Sequence, residues 1–156
     1  MSPAPARAAK LIRAARGDVG MTQSALAAAS GIHQPTLAAY ETGRRTPSPD
    51  TLRKILGAAH TRPSIALFVY ADDIVAAAAV HGIEDVRVFG STLTGADTPA
   101  SDIDLLVRTL PNVSLFDLSA FALEIEALTG FNVDIITERQ AENPRFSHVL
   151  AEAVPV

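Results

Sequence analysis

Two domains, an all-α bundle followed by an α/β unit, are predicted by three features of this 156-residue chain. The first is charge. Residues 1–62 carry nine Lys and Arg against three Asp and Glu, whereas residues 63–156 carry four against fourteen. The first part, at +6, suits a polyanion, and the second, at −10, repels one unless a cation intervenes. The second feature is helical periodicity throughout the first sixty residues. The third is a change of pattern after Thr61-Arg62-Pro63, where strand-like segments begin to alternate with helical ones. The domains are therefore expected at 1–62 and 63–156.

Taken in order, Ala8, Leu11, Ile12 and Ala15 recur at helical spacing, and Gly17 is expected to end that helix. Thr22 is a good N-cap for a second helix through Ser30, and Gly31 supplies the turn into a third that runs to about Thr42 and stops at Gly43. Ser48-Pro49-Asp50, an N-cap followed by proline at the first helical position, opens a fourth helix through about Ala59. The second part reads as a helix over Ala66 to Val80 and strands over Asp85 to Phe89 and Ile103 to Val107. An amphipathic helix over Ser114 to Leu128, a strand over Val133 to Thr137 and a closing helix over Phe146 to Ala153 complete it.

Apolar residues form 48% of the chain and charged ones 19%, enough for a packed core. The absence of cysteine excludes disulfides and thiolate metal sites, so a metal here needs oxygen or imidazole ligands. The N-terminal segment is basic but lacks the continuous apolar stretch of a secretory signal. No run approaches membrane-spanning length, the longest apolar stretch being the mostly alanine Ile74 to Val80. A cytoplasmic setting without a membrane partner is expected.

Two helices joined by a tight turn can read DNA if a small residue sits where they cross, glycine allows the turn and apolar residues lock the pair. Ala27 is the small residue, Gly31 the turn, and Leu26, Ile32, Leu37 and Tyr40 the shared core. The stretch from Thr22-Gln23 through Gln34-Pro35-Thr36-Leu37 to Arg44-Arg45-Thr46-Pro47 resembles the phage-repressor-like, Xre-type helix-turn-helix domains over roughly residues 9–60. The resemblance implies a recognition helix whose exposed start, Gln34, Pro35, Thr36, Ala38 and Ala39, faces the major groove. Gln23, Arg44 and Arg45 would contact phosphates, and the partner would be operator DNA. His33 stands where a small hydroxyl N-cap is usual, and Ala38 and Ala39 stand where larger polar readers are common. A basic helical bundle that binds only protein is the plainer alternative.

The segment Val88-Phe89-Gly90-Ser91, then ten residues, then Asp102-Ile103-Asp104 carries the chemistry. Residues i and i+2 of a strand point to one side, so Asp102 and Asp104 project together while Ile103 enters the core. Two adjacent carboxylates repel each other without a cation and together suit magnesium. Gly90 allows close approach of backbone to a phosphate, and Ser91, opening a short helical turn, offers a hydroxyl and backbone N–H groups. A third acid, Asp134, lies between apolar strand residues in Asn132-Val133-Asp134-Ile135-Ile136 and needs an explanation. If its strand lies beside that of Asp104, the three acids can hold two Mg2+ ions. His81 and His148 read as helix-surface or cap residues rather than ligands, and Glu124-Ile125-Glu126 as a solvated helix face.

This arrangement resembles the minimal nucleotidyltransferases of the DNA polymerase beta superfamily, in their small antitoxin-like branch, from roughly Val86 to the end of the chain. The resemblance implies an α/β nucleotidyltransferase with a small mixed sheet flanked by helices. By position, Gly90 and Ser91 would hold the nucleotide phosphates, Asp102 and Asp104 the metals, and Asp134 would complete the metal site and help activate the acceptor. Thr94 stands where relatives often carry arginine. The 22 residues after Asp134 leave no room for an appended substrate domain, so the acceptor is expected to be a docked macromolecule. In that branch, AMP passes from Mg-ATP to a hydroxyl of a partner toxin, a HEPN-type ribonuclease. The implied function is an antitoxin that adenylylates its toxin and represses its own operon, as a possible homodimer. A transcriptional regulator with a non-catalytic nucleotide- or partner-binding domain is the alternative, and modification of an aminoglycoside-like drug a weaker third.

Overall fold

The computed structural model describes residues 5–156, so the first four residues of the expected all-α domain lie outside it. Helix α1 (Pro5–Asp18) buries Ala8, Leu11, Ile12 and Ala15, the residues its periodicity singles out. It passes through Gly17 rather than stopping there. The left-handed residue is Gly20 (φ 66°), whose amide and that of Met21 close the helix end on the carbonyls of Gly17 and Arg16. Thr22 caps α2 (Gln23–Ser30) by accepting from the Ala25 amide, and Gly31 (φ 68°) ends it. Helix α3 (Gln34–Glu41) starts after His33, which makes no side-chain cap bond, and Ser48 caps α4 (Pro49–Ala58).

Ile12, Ala15, Leu26, Ala27, Leu37, Ile55 and Ala59 form the core of this helical part, with Ile32 and Tyr40 packed against it. Glu41 is the exception, a carboxylate only 2% exposed. Arg16 grips it with Nε and Nη2 at 2.6 and 3.0 Å, Gln23 donates at 2.8 Å, and Arg13 donates to its carbonyl at 2.9 Å. Burial pushes the Glu41 carboxyl up, but hydrogen bonds from Arg16 and Gln23, with the nearby positive charge, outweigh it and hold it below the usual range.

Helix α5 (Pro63–Val80) follows, and it corrects one expectation: it is long and apolar enough to cross a membrane. The expectation failed because Asp72 and Asp73 break the apolar run in sequence without breaking the helix. Ala66, Tyr70, Ile74 and Ala78 are buried in a protein core, which accounts for its composition. Strand β1 (Ile83–Phe89), helix α6 (Ser91–Thr94), strand β2 (Ile103–Thr109), helix α7 (Leu115–Thr129) and strand β3 (Val133–Thr137) come next. Short α8 (Glu138–Ala141), a 3-10 turn at Pro144–Phe146, α9 (Ser147–Glu152) and β4 (Val154–Pro155) complete the chain. The predicted closing helix is thus shorter than expected, and α8 and β4 are additions. Both are too short for periodicity to reveal, and β4 contains a proline, tolerated at a sheet edge.

The sheet is mixed, in the order β3-β2-β1-β4, with β2 antiparallel to β1 and parallel to β3. On one face Ile103, Leu105 and Val107 pack against Tyr70 and Ile74 of α5 and Phe121 and Ile125 of α7. On the other, Leu106 meets Ala141 and Val149, with Phe89 and Ile136 alongside. Leu11 of α1 joins the α5 core while its neighbour Ile12 joins the helical core, so α1 lends apolar residues to both.

Removing Arg16 strands Glu41 in the core. Arg16→Ala is expected to cost about 2 kcal/mol in urea denaturation at pH 7. Because the folded carboxyl titrates below its unfolded value, its contribution is complete above the unfolded pKa and is lost as pH falls through the folded one. The gap between Arg16→Ala and the parent chain should therefore narrow as pH falls below the ordinary Glu value of about 4.3.

Candidate active site and DNA-reading surface

Strand register brings the acids to one end of the sheet. Phe89, the last residue of β1, lies opposite Asp104, and Asp104 lies opposite Asp134 on the parallel strand β3. The pleat then puts Asp104 and Asp134 on the face of Leu106 and Ile136, away from Ile103 and Leu105. Further along, α8 and α9 cover that face, whereas here Asp104 is half-buried and Asp134 exposed. Asp102 sits one residue before β2. Its Oδ1 accepts from Asn132 Nδ2 at 3.2 Å, and its carbonyl accepts from Thr92 Oγ1 at 3.3 Å.

Asp104 is the hub. Burial first, then the charges of Asp134 and Asp102, push its carboxyl above the ordinary range. Among the described residues none of the three acids is in a salt bridge, so their repulsion is uncompensated by protein. Among the same residues no three His, Asp or Glu side chains are gathered so as to hold a metal ion by themselves. Hard carboxylate oxygens nevertheless suit a cation such as magnesium, which takes one or two carboxylates and fills its other positions with water and phosphate oxygens.

Gly90 makes this packing possible. It adopts φ 73°, ψ −151°, and a Cβ there would stand 2.5 Å from Asp104 Oδ2. Ser91, half-buried, begins α6, and Thr94, exposed at its end, turns its hydroxyl back to the Ser91 carbonyl at 3.3 Å. Asn132 and Thr92 support Asp102 and escaped the sequence reading because a lone polar residue beside a strand carries no spacing signal. The helix acids are also more than solvated surface. Glu126 Oε1 accepts from the Val133 amide at 3.1 Å, and Glu124 meets His81 Nε2 at 2.8 Å.

On the helical part, Gln34 and Pro35 are exposed at the start of α3, but Thr36, Ala38 and Ala39 are half-buried rather than open as expected. The helix is short, and its turn towards α1 and α2 covers these small side chains. Gln34 Nε2 donates to Gln23 Oε1 at 3.0 Å, so Gln23, bonded also to Glu41, is committed within the protein as much as to any ligand. Arg44 and Arg45 are exposed in the turn after α3, and among the described residues neither is in a salt bridge.

An α/β sheet that gathers acids beside a glycine-serine turn defines a nucleotidyl-transfer class of protein, and comparison with known proteins agrees. Residues 75–156 match the nucleotidyltransferase domain family, and residues 12–64 match the helix-turn-helix family. The chain belongs to the nucleotidyltransferase family and carries a helix-turn-helix of the Xre type before that domain. It is 34% identical over 76 residues to a Methanocaldococcus jannaschii protein described as "Putative protein adenylyltransferase", covering 49% of this chain and 82% of the relative. It also resembles a solved structure described as "Structure of putative minimal nucleotidyltransferase". That likeness has a TM-score of 0.55 and 35% identity, and covers 60% of this chain and 95% of the other.

The repulsion at Asp104 makes a stability prediction. An acid whose folded pKa is raised destabilises the fold once it ionises, so stability falls as pH rises from the unfolded value through the folded one. Asp104→Asn should therefore melt higher than the parent chain at pH 7 in EDTA, and the gain should vanish below about pH 4. Melting curves at the two pH values check this. Gly90→Ala should melt lower at both, since its methyl group displaces the Asp104 carboxylate whatever the charge.

Proposed function

We propose that this protein transfers AMP from Mg-ATP to a hydroxyl of a partner protein and represses its own operon through the helix-turn-helix. The observation that carries the catalytic part is the register pair Asp104 and Asp134 beside Gly90. Asp102 and Asp104 would hold the metal, with Asp134 completing the site. Divalent metal, when bound, neutralises the triphosphate and lowers the pKa of the attacking hydroxyl. Gly90 and Ser91 seat the phosphates. Asp134, exposed on β3, takes the proton of the acceptor hydroxyl. The oxygen of that hydroxyl bonds to the α-phosphorus as the bond to the bridging oxygen breaks, and pyrophosphate leaves.

A protein acceptor is supported by the name of the Methanocaldococcus jannaschii relative and by large exposed apolar side chains. On α7, Phe116 is 87% and Leu123 65% exposed, and at the end of α5 Val80 is 82% exposed. These helices pack on the sheet face away from Asp104, so their exposed side chains offer a docking contact apart from the reacting hydroxyl. The acceptor we infer is a toxin, a HEPN-type ribonuclease encoded nearby, which makes this chain the antitoxin. Both DNA and ATP place it in the cytoplasm, and the two halves of a palindromic operator call for a homodimer. We take residues 1–62 as the reader and 63–156 as the transferase. One observation favours a non-catalytic regulator instead: Thr94, where relatives often carry arginine, puts no positive charge towards the phosphates.

Incubation with α-labelled ATP, magnesium and the product of the neighbouring gene decides between these readings. Label should enter the partner protein, and Asp104→Asn should reduce it at least about a hundredfold, the scale of losing a principal transition-state contact. Absence of label, or label indifferent to Asp104→Asn, would leave the regulator reading. For DNA, Arg44→Ala should weaken binding to all sequences and lower the slope of log affinity against log salt by about one, whereas Gln34→Ala should relax sequence preference. Fluorescence anisotropy on operator and random duplexes separates the two effects.

A further inference from the structure

Asp97 lies outside the acidic cluster, six residues after Ser91 and five before Asp102, yet its side chain is fully buried. Its partners account for that. Oδ2 accepts from the Ser64 amide at 2.7 Å, and Oδ1 accepts from Ser64 Oγ at 3.1 Å and from Arg62 Nη1 at 3.2 Å. Arg62 Nη1 also donates to the Gly95 carbonyl at 3.4 Å. The other edge of the same guanidinium reaches Asp18 at the end of α1, with Nη2 to Oδ1 at 2.8 Å and Nε to Oδ2 at 3.0 Å. One planar fork therefore fastens the loop between Gly90 and Asp102, the first turn of α5 and the last turn of α1.

Helix α1 carries Arg13 and Arg16, which are fixed on Glu41 at the end of α3, and Glu41 is joined through Gln23 to Gln34. Directional hydrogen bonds thus extend from the exposed tip of α3 to α1, charge-assisted from Gln23 onwards, and from α1 through Arg62 to the loop beside the acids. A loop that adjusts to a triphosphate must carry Asp97 with it, and Asp97 cannot move without disturbing Arg62 and Asp18. The apolar contact of α1 with both cores leaves that helix little freedom to absorb the change locally.

We propose that Asp97 and Arg62 are positioning residues for the loop from Gly90 to Asp102 and that they link it to the DNA reader, so that nucleotide and DNA change each other's affinity. This rests on the nucleotide and DNA sites proposed above. Linkage is reciprocal, so either ligand can be titrated in the presence of the other.

The test uses the full chain, a duplex of the DNA immediately upstream of its own coding sequence, and a non-hydrolysable ATP analogue with magnesium. Each ligand is titrated alone, and the duplex is then titrated at saturating analogue. Duplex affinity should shift at least about fivefold with analogue present, the low end of ordinary coupling. In Arg62→Ala both ligands should still bind singly while the shift falls below twofold, and Arg62→Lys, which keeps the charge but loses the fork, should restore it only in part. Asp97→Asn, which can still accept from Ser64, should weaken the analogue about tenfold and leave the affinity for duplex alone unchanged. If Arg62→Ala fails to melt cooperatively, Asp18→Ala, which removes both acceptors at the α1 end of the fork and leaves Asp97 untouched, takes its place. A parent chain that binds both ligands without a shift, or a severed variant that keeps the shift, overturns the linkage. A parent chain that fails to bind one ligand overturns the corresponding site and the linkage with it.

Discussion

The repulsion concentrated on Asp104 is the constraint from which the arrangement of the second half follows. Three carboxylates at one end of a sheet raise the energy of the folded chain, and among the described residues no salt bridge relieves them. The fold tolerates the arrangement because the opposite face of the same strands is densely packed, with Ile103, Leu105 and Val107 fully buried against α5 and α7. Stability is drawn from one face of β2 and a charged site is built on the other. Alternation along a single strand is what allows both. Gly90 completes the device, since any side chain there would occupy the space of the Asp104 carboxylate.

Much of this was legible in the sequence because it follows from local rules. Caps at Thr22 and Ser48 and the turn at Gly31 are short-range signals, and they mark helix ends correctly. The acids were legible because charged residues inside apolar strands are costly and therefore informative. Adjacency of β2 and β3 was a condition of the expected site rather than a reading, and their parallel pairing, with Asp104 in register with Asp134, meets it. What stayed hidden is nonlocal. Nothing local singles out Asp97, which the fold brings to Arg62 and Ser64, or Glu41, which Arg16 of α1 and Gln23 of α2 enclose. The apolar stretch of α5 was underestimated for the converse reason, because the two aspartates at its middle are accommodated without breaking the helix, Asp72 in solvent and Asp73 paired with Arg7 of α1.

The helical part and the α/β part meet through α1, which divides its apolar face between two cores. A basic reader and an acidic transferase would otherwise have few reasons to hold a fixed relation. The ion pairs at the junction, Arg62 with Asp97 and Arg7 with Asp73, join basic side chains to acidic ones across that boundary. Opposite net charge therefore contributes to assembly as well as to partner choice, while screening by salt is limited where the groups are shielded from water.

The most direct test of the central claim, that the carboxylates around Asp104 form a cation site for nucleotide, is manganese binding followed by electron paramagnetic resonance with and without a non-hydrolysable ATP analogue. The proposal predicts that the parent chain depletes the free-ion signal beyond what the analogue chelates on its own, and that Asp104→Asn returns it to that baseline. A free-ion signal unchanged by the parent chain, or quenched equally by Asp104→Asn, would contradict it.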